Sequence, residues 1–253
     1  MIVSDEYMQE TYATATATDP PPRKTTPLEL KKVLIVNKTT RYEHEKALQG
    51  NVGEALKKQI SMRGFVFDRL KASHDAHTEA LRDFEASLVH HGIESLTLSA
   101  SSLTLQDVQG VDAVFSAGGD GTFLTAASFV TTTLVPVIGL NTDPSRSEGK
   151  LCAWSMEKSG ASEVDSILDK LYQGHFEYKE LQRIRVVLVH QDGTRVECPR
   201  YALNEVFLSE GDPSRPTVYD MGVDQNERER HRSSGIIVCT GTGSSAWYAS
   251  AVR

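Results

Sequence analysis

The chain has 253 residues, of which 39% are hydrophobic and 24% are charged, a composition typical of a globular protein with a sizeable core. The formal net charge of -7 argues against a general nucleic-acid binder, because neutralising phosphates requires a basic surface. No apolar run approaches the roughly 20 residues that span a bilayer, so no membrane partner is expected.

Residues 1–28 are predicted to form a flexible tail. Between Thr11 and Pro27, 13 of 17 residues are Thr, Ala or Pro, and such a segment cannot bury enough apolar surface to fold. It lacks the apolar run of a secretory signal. It also carries Asp5, Glu6 and Glu10, whereas transit peptides are rich in Arg and poor in acidic residues. No targeting presequence is therefore visible.

Residues 29–178 are predicted to form a parallel α/β domain. Short β-branched runs indicate buried strands, and apolar residues at helical spacing indicate helices between them. Strands that alternate with helices are typical of a parallel sheet covered by helices. The predicted strands are Val33–Val36, Leu96–Leu98, Val111–Phe115 and Val135–Leu140, and the predicted helices cover residues 43–60, 77–91, 123–130 and 164–171.

Residues 179–253 are predicted to form an antiparallel β domain. The apolar period changes to two, which is the repeat of a strand with one buried face. Asp192-Gly193 lies between two such runs and is a strong signal for a β-hairpin. No helix is expected before Ser244. The predicted strands are Ile184–His190, Arg195–Cys198, Ala202–Leu208, Val218–Val223 and Ile236–Cys239.

A glycine-rich loop follows the strand that ends at Phe115. It reads Gly118-Gly119-Asp120-Gly121-Thr122 and leads into a predicted helix. Glycines let a backbone approach a ligand closely, and amides at a helix N-terminus attract phosphate. A carboxylate repels phosphate, so Asp120 suits a general base for a hydroxyl, or a ligand of Mg²⁺ that holds phosphates. The alternative is a plain strand-to-helix turn with Asp120 as its cap.

Two further segments, in the predicted β domain, have the composition of a ligand site. Thr240–Ser245 combines two glycines with hydroxyls, which suits a ribose or a phosphate, although a plain turn has the same composition. Asn204-Glu205 interrupts an otherwise apolar strand, and adjacent strand residues face opposite ways. One of these two polar side chains is therefore expected to point toward the core, where it needs a hydrogen-bond partner or a ligand.

Several other chemistries fit the sequence poorly. Leu124 stands where the dinucleotide fingerprint requires a third glycine, and no Gly-Lys-Ser/Thr run of a P-loop occurs. His74 and His77 share a helix face but lack a third metal ligand at useful spacing, so solvated histidines are expected. The cysteines are odd in number and far apart, which excludes a disulfide framework and favours inert thiols: Cys152, Cys198 and Cys239.

Taken together, the three candidate segments resemble the NAD kinase family. Gly118–Thr122 matches its first motif, Asn204-Glu205 its second and Thr240–Ser244 its third. The resemblance covers residues 32–250, and the order and spacing of several motifs make it specific. It is greatest with the mitochondrial-type branch of animals, and there it also includes Lys38–Glu43, Gly139–Gly149 and Arg232–Gly235.

The resemblance implies a Rossmann-like parallel α/β domain followed by an antiparallel β-sandwich domain, truncated here. It implies transfer of the γ-phosphoryl group of ATP to the 2′-hydroxyl of the adenosine ribose of NAD, giving NADP. The implied substrates are NAD and ATP with Mg²⁺, no tightly bound cofactor is expected, and a homodimer or larger homo-oligomer is implied. The mitochondrion is the implied compartment, with the cytoplasm as the alternative because no presequence is visible.

The family's site residues carry over to matching positions of this sequence. Asp120 occupies the position of the catalytic base, and no side chain is assigned to a metal. The implied NAD-binding positions are Gly121, Asn204, Glu205, Arg232, Ser234, Ser245, Ala246, Trp247 and Ser250. The loops implied to hold phosphate or ATP contain Gly118, Gly119, Gly121, Thr122, Thr242, Gly243 and Ser244.

The sequence departs from the more widespread family pattern, which has Asp at Ser234, Pro at Gly241 and Tyr at Trp247. It also stops soon after the third motif, where family members continue with more strands, so a partial β domain with unpaired edges is expected. Two alternatives follow. Lipid kinases of the diacylglycerol or sphingosine type share the glycine motif, but in them Asn-Glu follows almost at once. A non-catalytic NAD-binding fragment is the second alternative.

Overall fold

The computed structural model describes residues 27–156, 161–212, 214–224 and 226–252. Nearly all of the predicted flexible tail, residues 1–26, lies outside the described residues. The chain divides into two compact units, and the boundary falls between Tyr178 and Lys179. None of the helices in the described ranges is long and apolar enough to cross a membrane.

The first unit is built on a five-stranded parallel sheet. Its strand order is β2-β1-β3-β4-β5. The chain adds β2 on one side of β1 and then crosses over to add β3, β4 and β5 on the other side. This reversal creates a crevice between the carboxyl ends of β1 and β3, which is where open α/β sheets bind ligands. The strands are β1 (Lys32–Asn37), β2 (Glu94–Ser99), β3 (Ala113–Ala117), β4 (Val137–Asn141) and β5 (Trp154–Ser155).

Helices connect these strands, and two of them differ from the prediction. The helix predicted over 43–60 is two helices, because Gly50 adopts a left-handed conformation (φ 64°) and its amide closes the first helix on the Lys46 carbonyl. The helix predicted over 77–91 begins earlier, at Phe67. The helices are α1 (Arg41–Gln49), α2 (Gly53–Met62), α3 (Phe67–His90), α4 (Asp120–Phe129) and α5 (Ala161–Tyr172).

The core of this unit lies on both faces of the sheet. Every residue of β3 is buried, as expected for a central strand that helices cover on both sides. On one face Phe84 of α3 packs on Phe115 of β3, with ring centroids 4.9 Å apart. On the other face Val114 packs in a cluster with Ala126 and Phe129 of α4. This packing holds the start of α4 directly after β3.

The second unit contains antiparallel strand pairs. The predicted hairpin is confirmed, with β6 paired to β7 and the Gly193 amide bonded to the His190 carbonyl at 2.9 Å. Strand β10 was not predicted, because its polar sequence has no apolar alternation. The strands are β6 (Val187–Val189), β7 (Arg195–Glu197), β8 (Glu205–Leu208), β9 (Thr217–Met221), β10 (Glu229–Ser233) and β11 (Ile236–Cys239).

The remaining pairs of this unit are β8 with β11 and β9 with β10. A 3₁₀ turn (Gly243–Ser245) and a short helix, α6 (Trp247–Ala251), follow β11. The predicted fold class is therefore confirmed. A parallel α/β unit precedes antiparallel strands that are consistent with a β-sandwich.

Candidate active site

The glycine loop lies at the switch point of the parallel sheet. The Gly118 amide donates to the Leu140 carbonyl of β4 at 2.9 Å, and the Lys38 amide donates to the Ala117 carbonyl of β3 at 3.1 Å. These two bonds continue the pairing of β3 with its neighbours past the ends of the strands. The loop is thereby fixed in the crevice where a ligand of an open sheet is expected.

Two glycines of the loop are needed because other atoms occupy the space of a side chain. A Cβ on Gly118 would collide with the hydroxyl of Thr122, and one on Gly119 would lie 2.7 Å from the Ser147 hydroxyl. Gly121 is different, since a Cβ there would meet no protein atom within 4 Å. The open space at Gly121 faces solvent and is free for a ligand.

Asp120 is the first residue of α4, and a hydrogen bond holds its carboxylate in one orientation. Its Oδ1 accepts a hydrogen bond of 2.8 Å from the Leu151 amide. Among the described residues, no donor contacts Oδ2 and no acceptor contacts the amides of Asp120 and Gly121. The site therefore presents one free carboxylate oxygen beside free helix N-terminal amides, which suits a proton acceptor next to a bound phosphate.

Cys152 lies under this loop as an unreactive thiol. It is half-buried, and its Sγ lies 3.7 Å from the Gly118 carbonyl. Burial, together with the charge of Asp120, raises the pKa of the Cys152 thiol to about 11. A thiol that stays protonated at neutral pH is a poor nucleophile, which agrees with the expectation of inert cysteines.

The segment after β4 packs against the glycine loop and was absent from the predicted site. Asn141 is buried and donates from Nδ2 to the Ser147 carbonyl at 2.8 Å. Asp143 is also buried, and its two carboxylate oxygens accept from the hydroxyls of Ser73 and Ser145. The polar run Asn141–Gly149 was the signal that could have identified these residues, because loops that follow buried strands often carry binding or catalytic residues.

The expectation that His77 is solvated is wrong. Its side chain is 2% exposed, with Nδ1 2.8 Å from Thr142 Oγ1 and Nε2 2.7 Å from Asn37 Oδ1. Burial lowers its pKa to about 4, and the charge of Lys38 adds to the effect. His77 therefore joins α3 to the ends of β1 and β4 as a neutral ring. His77 lies seven residues, or about two helical turns, from both Leu70 and Phe84, which are buried. This spacing places His77 on the buried face of α3 and was the overlooked signal.

In the second unit the structure brings the second and third motifs together. Asn204 lies just before β8 and Glu205 begins it, rather than both lying within a strand from Ala202. The Thr240 amide donates to the Asn204 carbonyl at 2.9 Å, and its hydroxyl donates to the Leu203 carbonyl at 2.6 Å. A Cβ on Gly243 would overlap the Asn204 backbone, so glycine is required there.

Both side chains of the second motif bury an unsatisfied oxygen. Asn204 Oδ1 and Glu205 Oε2 are inaccessible to solvent and have no hydrogen-bond partner within the described ranges. An unsatisfied buried acceptor costs about 1–3 kcal/mol, so such groups normally have a donor. Hydroxyl or amide donors of a ligand would satisfy both oxygens.

Most of the other predicted residues of this unit lie in or just after the third-motif turn. The hydroxyl of Ser244 donates to the Gly241 carbonyl at 2.7 Å, which closes the third-motif turn. Trp247 packs on Phe207 with centroids 4.9 Å apart and stays 47% exposed, which leaves part of its ring available to a ligand. Thr242 belongs to the same turn, with Ser245 at its end and Ala246 and Ser250 just beyond it.

Arg232 and Ser234 lie on a different strand pair. Arg232 is exposed within β10, which pairs with β9, and Ser234 is exposed just after that strand. Arg232 therefore belongs to a strand that was not predicted. Among the described residues, no group of three His, Cys, Asp or Glu side chains could hold a metal ion.

Comparison with known proteins places this chain in one family. Residues 24–176 match the family model described as the ATP-NAD kinase N-terminal domain. A Homo sapiens protein named "NAD kinase 2, mitochondrial" is 35% identical over 85% of this chain and 57% of its own length. The Rattus norvegicus protein of that name is 36% identical over 85% of this chain and 59% of its own length. The chain thus spans less than two thirds of the length of these relatives.

A solved structure has the same fold. It is titled "Crystal Structure of Yeast NADH Kinase complexed with NADH", and it superposes with a TM-score of 0.52 over 92% of this chain and 65% of that chain. The sequences are 18% identical, so the comparison extends to the fold and no further.

Proposed function

The chain belongs to the ATP-NAD kinase family, and from that premise we propose that it transfers the γ-phosphoryl group of ATP to the 2′-hydroxyl of the adenosine ribose of NAD. The products are NADP and ADP. The family match favours this reaction over the lipid kinase alternative.

The geometry of Asp120 carries the proposal. The Leu151 amide holds Oδ1, while Oδ2 has no donor among the described residues. A carboxylate held in this way accepts the proton of the 2′-hydroxyl as the oxygen attacks the γ-phosphorus. The new bond joins that oxygen to phosphorus, and the bond from phosphorus to the bridging oxygen breaks to release ADP. A positioned general base accelerates such a step by roughly 10²–10⁴-fold.

The free amides at the start of α4 support a phosphate next to this base. Amides at a helix N-terminus point toward the ligand, and the helix dipole favours negative charge there. The space beside Gly121 is open for such a group. Mg²⁺ bound to ATP would neutralise part of the phosphate charge.

The second motif supports binding of the dinucleotide. Asn204 Oδ1 and Glu205 Oε2 are buried acceptors that need donors, and NAD offers hydroxyl and amide donors. The exposed ring of Trp247 offers a surface for stacking. Following the names of the relatives, we place the protein in the mitochondrion, and following the resemblance we propose a homodimer or a larger homo-oligomer.

The test is formation of NADP by the purified chain, supplied with NAD, ATP and Mg²⁺, with products separated by chromatography. NAD binding is measured in parallel by calorimetry. NADP that appears only with all three components supports the kinase. A folded protein that binds NAD and forms no NADP would establish the non-catalytic alternative instead.

A further inference from the structure

Lys38 lies against the glycine loop at the end of β1. It follows β1 directly, and its amide bonds to the Ala117 carbonyl at the end of β3. A Cβ built on Gly118 would lie 3.1 Å from the Cβ of Lys38, so the lysine stem begins beside the loop. Lys38 therefore emerges into the same crevice of the sheet as Asp120.

The ammonium group of Lys38 lacks a counter-ion among the described residues. It makes no ion pair within 4.0 Å there, although the side chain is partly buried. Asp143 and Glu43 are the acidic groups that act on it, and Arg146 opposes them. Loss of hydration is the largest effect and lowers the pKa of Lys38. A partly buried cation without a partner is costly, and a bound anion would remove that cost.

Both acidic neighbours accept hydrogen bonds from other groups. Asp143 uses one carboxylate oxygen to accept from Ser73 and the other to accept from Ser145. Glu43 accepts from the amide of Thr40 at 2.8 Å and from the Thr40 hydroxyl at 2.9 Å. Both carboxylates thus bond to neutral groups, and within the described ranges neither forms an ion pair with the Lys38 ammonium.

Two amides at the start of α1 are already bonded within the protein. Thr40 and Glu43 form a capping box, in which each side chain bonds the backbone amide of the other residue. These amides are consumed within the protein. The ammonium of Lys38 and the amides of Asp120 and Gly121, which contact no acceptor among the described residues, are therefore available to an anion.

We propose that Lys38 is a phosphate-binding residue of the nucleotide site, in which its ammonium group donates to phosphate oxygens held over the glycine loop. The assignment deepens the proposed kinase function and rests on it for the identity of the ligand. Phosphate oxygens occur in ATP and in the pyrophosphate of NAD. The experiment therefore titrates the two nucleotides separately.

Calorimetric titration of the full chain with ATP and Mg²⁺, and separately with NAD, tests this assignment. Lys38→Met keeps the unbranched stem and removes the charge, and Lys38→Arg keeps the charge. The matched control is Lys32→Met, at the exposed start of the same strand, where Lys32 pairs with Glu94 at 3.6 Å on the surface. We expect Lys38→Met to weaken binding of one nucleotide by at least about tenfold, Lys38→Arg by less, and Lys32→Met by less than about twofold.

The melting temperature without nucleotide separates a binding role from a structural one. Removal of an unpaired, partly buried charge is expected to leave the temperature unchanged or to raise it. If Lys38→Met lowers the melting temperature while nucleotide affinity per folded molecule is unchanged, Lys38 is structural and the proposal is overturned. Equal affinity of Lys38→Met and wild type for both nucleotides overturns it as well. Binding that depends on Lys38 without NADP formation supports the phosphate site and refutes only the kinase.

Discussion

The Leu151 amide donates a 2.8 Å hydrogen bond to Oδ1 of Asp120, although the two residues are 31 positions apart. The bond joins the segment after β4 to the first residue of α4. It fixes one carboxylate oxygen and leaves the other free. The direction in which the proposed base points is thus decided by a backbone group from another loop.

Asp120→Asn should remove turnover and keep the fold. An Asn side chain can still accept from the Leu151 amide, so the loop retains its support, but it cannot accept the ribose proton. We expect kcat to fall by roughly 10²–10⁴-fold with little change in NAD affinity or melting temperature. NADP formation and calorimetry measure these quantities. Asp75→Asn is the control, since Asp75 is exposed on α3 and, among the described residues, pairs only with Lys71 at 2.7 Å. Near-normal turnover of Asp120→Asn would remove Asp120 as the base.

Gly121→Ala should reduce turnover, whereas Gly118→Ala should reduce stability. A Cβ at Gly121 meets no protein atom and improves helix propensity, so stability should rise by up to about 1 kcal/mol. The same Cβ occupies the open space of the ligand, and turnover should fall by roughly 10–100-fold. At Gly118 the Cβ collides with Thr122, and we expect a loss of about 1–3 kcal/mol of stability. Urea unfolding and NADP formation distinguish the two variants. Full activity of Gly121→Ala would show that no ligand uses this space.

Gly243→Ala and Gly241→Ala form a similar pair in the second unit. Gly243 has no room for a Cβ because the Asn204 backbone lies there, whereas Gly241 has open space. We expect Gly243→Ala to separate the third motif from Asn204 and to weaken NAD binding by at least about tenfold. Overpacking of this kind costs about 1–3 kcal/mol. Gly241→Ala should keep the stability of the wild type. NAD affinity of Gly243→Ala equal to that of the wild type would show that the contact between the motifs is dispensable.

His77 should make the protein less stable as the pH falls. The folded chain binds a proton at His77 only below a pKa of about 4, against 6.5 for an ordinary histidine. Between these two pH values the unfolded chain binds more protons than the folded chain. The free energy of unfolding therefore decreases as the pH is lowered through this window. The loss is about 3 kcal/mol by the time the pH reaches 4.

The comparison that isolates this effect is between the wild type and His77→Gln, unfolded in urea at pH 7 and at pH 4.5. Gln can bond Thr142 and Asn37 without titrating, and all other groups contribute equally to both proteins. The free energy of unfolding of the wild type should therefore fall more steeply than that of the variant. Parallel curves for the two proteins would show that His77 does not titrate in this window.

Local sequence features predicted much of this molecule. Four of the five strands of the first unit were predicted because each contains a short apolar run, which is typical of a buried parallel strand, whereas β5 was missed. The hairpin at Asp192-Gly193 was predicted because the turn needs those residues. Asp120 and Gly121 were predicted as site residues from a glycine loop before a helix and from the family resemblance, with a plain turn as the alternative.

Contacts between distant segments decided the rest. The break at Gly50 and the polar strand β10 were missed, because a helical pattern does not reveal a left-handed glycine and a polar strand forms only through its partner β9. His77 is buried because the ends of β1 and β4 supply Asn37 and Thr142 as partners. Lys38 makes no ion pair within the described ranges, and there Asp143 and Glu43 bond to neutral groups. Residue types specified which groups could act, and packing in three dimensions decided which of them are left free to bind a ligand.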